Sequence, residues 1–252
     1  MSMHKRRFLK IFWSVFILLT LSGVLLSFFF SNLDFSLNWH TANRSSAKMA
    51  PLPSECKEAI VQVYAARAFN WRGLFAVHTW IAAKEKNANS YTVYQVVDWL
   101  RFLGLPSLSV KKDIPDRIWF GQKPLILSDI RGVVAENIIH QLPQVVSNYP
   151  WKNHYVIWPG PNSNTFIAYI ARKIPQLHSA MMPIAIGKDY LGAWKFYDVA
   201  PSNTGYQVSL YGVLGILLAK EEGLEINVCG VVFGFNFKKH ALLFPGIGYI
   251  SY

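Results

Sequence analysis

The twenty residues from Ile11 to Phe30 constrain this chain more than any other stretch. They carry no charge and are almost wholly apolar. Wound as a helix, twenty residues rise about 30 Å, the thickness of a bilayer's hydrocarbon core. Lys5, Arg6, Arg7 and Lys10 precede them without an acidic residue. Positive flanks stay on the cytoplasmic side, so the predicted orientation is N-terminus in and C-terminal part out. A cleaved signal peptide is the competing reading, but its apolar core is usually about 7–15 residues and ends at a small-x-small site. Here the run ends in Phe28-Phe29-Phe30-Ser31-Asn32-Leu33, which favours an uncleaved single-pass anchor. No cysteine stands nearby, which argues against a lipoprotein. The expected layout is a basic cytoplasmic segment at 1–10, a transmembrane anchor at 11–30, a linker at 31–53 and an extracytoplasmic α+β domain at 54–252.

A hydrophobic content of 52 % allows 252 residues to bury a core of ordinary size. Four positive charges of the net +11 lie in the first ten residues, and the remaining excess is modest. No basic run is interleaved with aromatics, so nucleic acid is not an expected partner. The lipid bilayer is, through residues 11–30. The seven histidines are scattered, none in H-x-x-x-H spacing, and the two cysteines, Cys56 and Cys229, form no C-x-x-C. No metal and no cofactor are therefore expected. Outside the cytoplasm the two thiols could form one disulfide. Cys229 lies in an apolar run and reads as a buried small hydrophobe, with Cys56 the more exposed.

Periodicity gives the coarse elements. Ile60–Tyr64, Leu74–Ala83 and Tyr91–Trp99 read as strands, the last two as a hairpin around Asn87 and Asn89. Gly132–Tyr149 reads as a helix with Val134, Ile138, Leu142 and Val145 inward and Pro143 at a kink or end. Tyr155–Trp158 reads as a short strand and Ser163–Ile174 as an amphipathic helix stopped by Pro175. Val208–Ala219 is strand or helix, and Ile226–Phe237 a strand.

Two local patterns could carry chemistry. In Trp158-Pro159-Gly160-Pro161-Asn162-Ser163-Asn164-Thr165-Phe166, a Pro/Gly break precedes a helix that opens on Asn162 and Ser163. A polar side chain there sits in the positive field of the helix N-terminus, which suits a nucleophile or an anion-binding group. In Phe75-Ala76-Val77-His78-Thr79-Trp80-Ile81, one histidine lies in an apolar strand. Plainer readings stand beside these. Asn162 and Ser163 are both favoured N-caps, and a histidine on an apolar strand is commonly a hydrogen-bonded core residue. Asn164 and Thr165 either bind a ligand or satisfy the first turn; Trp158 either stacks on a ligand or packs. No Walker A, G-x-S-x-G or kinase signature occurs.

The order of these motifs, a strand His-Thr-x-Ile-like segment and then Asn162-Ser163-Asn164-Thr165-Phe166 opening a helix, resembles the circularly permuted papain-like fold of NlpC/P60-related envelope hydrolases and PPPDE peptidases. The resemblance covers about residues 58–175. It implies that His78 stands in the place of the catalytic base and Ser163 in the place of the nucleophilic cysteine. Gln95, on the paired strand, is the nearest group to orient the imidazole, with Asp98 behind it. The departure is the serine: a thiol is activated by a helix N-terminus and a histidine, whereas an alcohol needs a base in firm contact. The extramembrane chain also resembles a bacterial family, domain of unknown function 3750, at Phe75–Ile81, Trp158–Phe166, Ala185–Leu191 and Ala200–Gln207.

These resemblances imply a protein of the bacterial inner membrane with its C-terminal domain in the periplasm. Three functions follow as expectations. The first is an amide or ester hydrolase, or an acyltransferase, using Ser163 and His78 on an envelope peptide, glycan or lipid. The second is a catalytically inactive module that binds such a ligand through Asn162, Asn164, Thr165 and Trp158. The third is a structural envelope protein that uses Val208–Phe237 as a partner or membrane-contact surface, which requires a large exposed apolar patch there.

Overall fold

The computed structural model describes residues 3–31 and 33–251. The apolar run is one helix, α1 (Met3–Phe30), long and apolar enough to cross a membrane. Most of its circumference is bare. A single stripe touches the rest of the chain: Phe16 packs on Phe233 at 5.7 Å between ring centroids, and Gly23 and Ser27 are buried.

The described residues between α1 and the first strand have almost no regular structure, yet they do not hang free. Trp39 stacks on Phe120 at 4.0 Å and meets Trp99 and Phe69 edge-on. The buried Asp116 carboxylate accepts from Ser46 Oγ and from the Met49 and Ala50 amides at 2.8, 2.6 and 3.1 Å. Each of these bonds joins positions far apart in the chain, so no local pattern announced them.

Five strands form the first sheet: β1 (Ile60–Arg67), β2 (Val77–Lys84), β3 (Thr92–Val96), β4 (Leu108–Lys112) and β5 (Leu125–Arg131). Their spatial order is β4-β3-β2-β1-β5, all antiparallel. The expected β2–β3 hairpin is present. Both faces of β1 and β2 are buried, which is why their sequences show no polar alternation. Val61, Val63, Ala65, Val77, Ile81 and Ala83 face one way; Ile60, Tyr64, Ala66, Trp80 and Ala82 face the other. The first face is covered by α2 (Gly132–Ser147) and α3 (Ser163–Lys173), the second by Trp39, Trp119 and Phe120. In α2 the inward residues are Ala135, Ile138, Leu142 and Val146, one position on from the expected stripe at two places, and the helix continues through Pro143. Tyr155–Trp158 is not a strand; it leads into a turn that holds cis bonds at Trp158-Pro159 and Gly160-Pro161.

The C-terminal part is a seven-stranded antiparallel meander: β6 (Tyr197–Val199), β7 (Gly205–Leu210), β8 (Leu214–Ala219), β9 (Gly223–Val228), β10 (Val231–Asn236), β11 (Ala241–Phe244) and β12 (Gly248–Ser251), in sequence order. The apolar runs at 208–219 and 226–237 are therefore each broken by a tight turn, at Tyr211-Gly212 and Cys229-Gly230. In both turns the two central residues have positive φ (55° and 72°; 55° and 81°), the geometry that suits a twisted hairpin. Neither turn begins with the Asn or Asp that usually marks one. The second turn also corrects the reading of Cys229, which is exposed, while Cys56 is half-buried; both thiols are free.

Candidate functional site

The opening turn of α3 is held from three directions. Asn162 is its N-cap: Oδ1 accepts from the Asn164 and Thr165 amides at 2.9 and 3.2 Å, and Thr165 Oγ1 accepts from the Asn162 amide at 3.1 Å. This reciprocal box satisfies donors that a helix start leaves orphaned. The remaining polar atoms reach outward. Asn162 Nδ2 donates to the Ile157 and Ile186 carbonyls, both at 3.0 Å, and Thr165 Oγ1 donates to the Gly187 carbonyl at 2.7 Å. Asn164 Nδ2 donates to Val77 O and Ile186 O, and its Oδ1 accepts from Thr79 Oγ1 at 2.9 Å. Gly187 has φ +98°, and a Cβ there would fall 2.4 Å from Asn162 Oδ1, so only glycine lets the two segments close. Asn162, Asn164 and Thr165 are thus buried tie-points whose hydrogen bonds are made within the chain. Trp158 is half exposed; its indole donates to Cys229 O at 3.0 Å and joins this turn to the β9–β10 hairpin.

Ser163 follows the cap and is 3 % exposed. Its carbonyl accepts from Thr79 Oγ1 at 3.3 Å. No hydrogen bond of its hydroxyl occurs among the described residues. His78 is 6 % exposed and points the other way from α3. Successive strand residues face opposite sides, and it is the next residue, Thr79, that reaches α3. The imidazole instead lies flat on Trp119 at 3.7 Å between centroids, with Trp80 beyond, and its Nε2 is 3.1 Å from Gln95 Oε1. Nε2 therefore donates, and Nδ1 carries the lone pair. Burial pushes this imidazole from its ordinary 6.5 down to about 3, the Gln95 hydrogen bond opposing only part of the shift. The structure brings Gln95 to His78 and does not bring Ser163 to it.

A second buried polar cluster was not foreseen. Lys188 Nζ contacts Asp189 Oδ1 at 2.7 Å and Glu225 Oε2 at 2.5 Å, with all three side chains buried. Asp189 also accepts from Gln207 Nε2 and from Asn227 Nδ2. Arg172 on α3 donates to the Lys188 carbonyl and to Gln207 Oε1. The cluster ties α3 and the 185–191 segment to the inner face of the meander. Burial raises the Glu225 carboxyl to about 7 in spite of the neighbouring ammonium. Lys188 and Asp189 are adjacent opposite charges in the sequence, and nothing local shows that a strand 37 residues on closes over them.

Two surface pockets open near Tyr94, one toward Glu85 and Lys112, the other toward Leu108, Pro143 and Lys152. Neither is lined by His78 or Ser163.

The three segments bound together by the first turn of α3, namely 77–79, 157–165 and 186–187, fall inside one family match. A family model described as a protein of unknown function, DUF3750, matches residues 58–190, more than half of the chain. The chain belongs to the DUF3750 family. No curated protein and no solved structure matches it. The DUF3750 match spans the first sheet, α2, the α3 turn and Lys188-Asp189, and ends before the meander begins.

Proposed function

We propose that this DUF3750 protein is a membrane-anchored binding module of the bacterial cell envelope, with a papain-like arrangement of strand histidine and helix start but without turnover. In this reading residues 1–10 lie in the cytoplasm, 11–30 cross the inner membrane, 31–53 connect, and 54–252 form the periplasmic domain. The environment of His78 carries the reading. An imidazole with a pKa near 3 is a weak base for taking a serine proton near neutral pH, and its nearest polar partner is Gln95 rather than Ser163. Among the described residues no other side chain hydrogen-bonds the Ser163 hydroxyl to activate it. The ligand is an envelope peptide, glycan or lipid. With Asn162, Asn164 and Thr165 satisfied internally, the exposed Val156-Ile157-Trp158 ledge is what remains to meet it. The test uses the full chain in detergent with a muramyl peptide as probe. A rise in melting temperature that Trp158→Ala removes supports the reading; release of product from the peptide overturns it.

One observation favours the hydrolase or acyltransferase reading. The Gln95 contact holds Nε2 and leaves Nδ1 unprotonated, the tautomer that a Ser163–His78–Gln95 set would use once the imidazole turned toward α3. Covalent labelling of Ser163 by a fluorophosphonate, abolished by His78→Gln, would establish that reading in place of the first.

A further inference from the structure

The meander turns its more apolar face outward and a mixed, strongly polar face inward. An antiparallel sheet with one face on a core normally turns apolar side chains inward and polar ones to water. Here the inner face carries Gln207, Ser209, Glu225, Asn227 and Asn236, all buried, beside the smaller apolar set Ala200, Leu217, Ala219, Val232, Ala241 and Leu243. The outer face is apolar on every strand. One cross-strand row runs from Val199 through Tyr206, Leu218, Leu224, Phe235 and Leu242 to Ile250 without a polar residue. The next row repeats this with Val208, Ile216, Ile226 and Phe233. Tyr206 is 60 % exposed and Leu218 58 %. Seven strands at about 4.8 Å spacing make this face about 30 Å across. Isolated exposed apolar residues are ordinary; a contiguous face with an inward polar counterpart is not.

We infer that this outer face is a membrane-seated surface, and that its occupant is the lipid bilayer that receives α1. The argument is continuity. Phe16 of α1 packs on Phe233, which belongs to the outer face, and the backbone at Gly23 lies against Pro245 and Phe244 at the end of β11. Phe16 stands fourteen residues before Phe30, about 21 Å along the helix axis. The sheet therefore meets α1 along its apolar length, not beyond its end. A helix surrounded by acyl chains at that level brings the adjoining apolar face into the same lipid. The inner polar cluster around Lys188 is then the side that faces the DUF3750 unit, and the reversal has a cause: this sheet has lipid on one side and a hydrogen-bonded protein surface on the other. The inference does not depend on whether the domain binds a ligand or turns one over.

The experiment uses the full chain with Cys56→Ser and Cys229→Ser, reconstituted in phosphatidylethanolamine and phosphatidylglycerol vesicles. A nitroxide is attached at Ile216→Cys, at Leu218→Cys, or at Lys86→Cys as the water-exposed control on the first sheet's side. Collision with oxygen, which concentrates in lipid, is compared with collision with a water-soluble nickel chelate. At 216 and 218 the oxygen-to-nickel ratio should be severalfold higher than at 86. Ratios equal to that at 86 would overturn the inference. So would protection from both reagents together with dipolar broadening between labels, which would show a second copy of the chain on this face.

Discussion

Burial decides what His78 can do. Its folded pKa of about 3 lies below the ordinary 6.5 that the unfolded chain regains. Between those values the unfolded state takes up a proton that the fold refuses. The stability tied to His78 is whole above about pH 6.5 and drains away as pH falls toward 3, at up to about 1.4 kcal/mol per pH unit. The urea midpoint of the full chain in detergent should fall from about pH 6.5 to pH 4 more steeply than that of His78→Gln; equal slopes would mean an imidazole that titrates normally. At the start of α3 the contrast is between neighbours. Asn162→Ala strips a cap and takes the donor from the Ile157 carbonyl, while Ile186 O keeps only Asn164, a loss of about 2–4 kcal/mol. Ser163→Ala removes a hydroxyl that makes no hydrogen bond among the described residues and should change stability by less than about 0.5 kcal/mol. Urea titration of the two variants separates a cap residue from a residue free for chemistry. The capping signature was legible in Asn162 and Thr165, and so was the His78–Gln95 pairing, because both rest on local spacing or on one hairpin. The partners Ile186 and Gly187 were not, since a backbone carbonyl more than twenty residues away leaves no mark in a local pattern.

Between elements, the Lys188 cluster is what holds α3 to the meander. Lys188→Met would leave Asp189 and Glu225 buried without their cation, at a cost of about 3–5 kcal/mol. Glu225→Gln should cost less, because its Oε1 has no partner among the described residues and Lys188 keeps Asp189. Glu225 also runs opposite to His78 with pH. Its folded pKa, about 7, is raised above the ordinary 4.5, so its contribution is whole below about 4.5 and is lost as pH rises through about 7. Glu225→Gln should flatten that decline, measured by the same urea midpoints. Strands β1, β2 and β3 and the helices α2 and α3 were readable because hydrophobic period and Pro/Gly stops agreed, whereas β4 and β5, half-exposed and without clear alternation, were not among the expected strands. The meander was harder. Its strands alternate normally, but Tyr211-Gly212 and Cys229-Gly230 bend the chain without the leading Asn or Asp that usually marks such a turn, so two hairpins read as two longer runs. Alternation also cannot say which side is inward, and here the apolar side is outward.

At the scale of the molecule, α1 is both the apolar helix and a packing partner, and Gly23 is where the two roles meet. A Cβ at this position would come 2.2 Å from the Pro245 carbonyl oxygen, a backbone atom that cannot swing aside. Four residues on, Ser27 Oγ accepts from Arg67, whose guanidinium also donates to the Gly73 and Gly246 carbonyls at 2.9 and 2.5 Å. Gly23→Leu makes α1 more apolar, so the chain should stay in vesicles through alkaline carbonate extraction. It should, however, push α1 off the β11–β12 turn and uncouple the domain from the helix. With the nitroxide at Ile216→Cys, the oxygen-to-nickel ratio should then fall severalfold from its value with Gly23 in place. A ratio that stays high in Gly23→Leu would mean that the sheet face holds lipid by its own apolar area, and that the Phe16–Phe233 contact adds nothing to the seating of the domain.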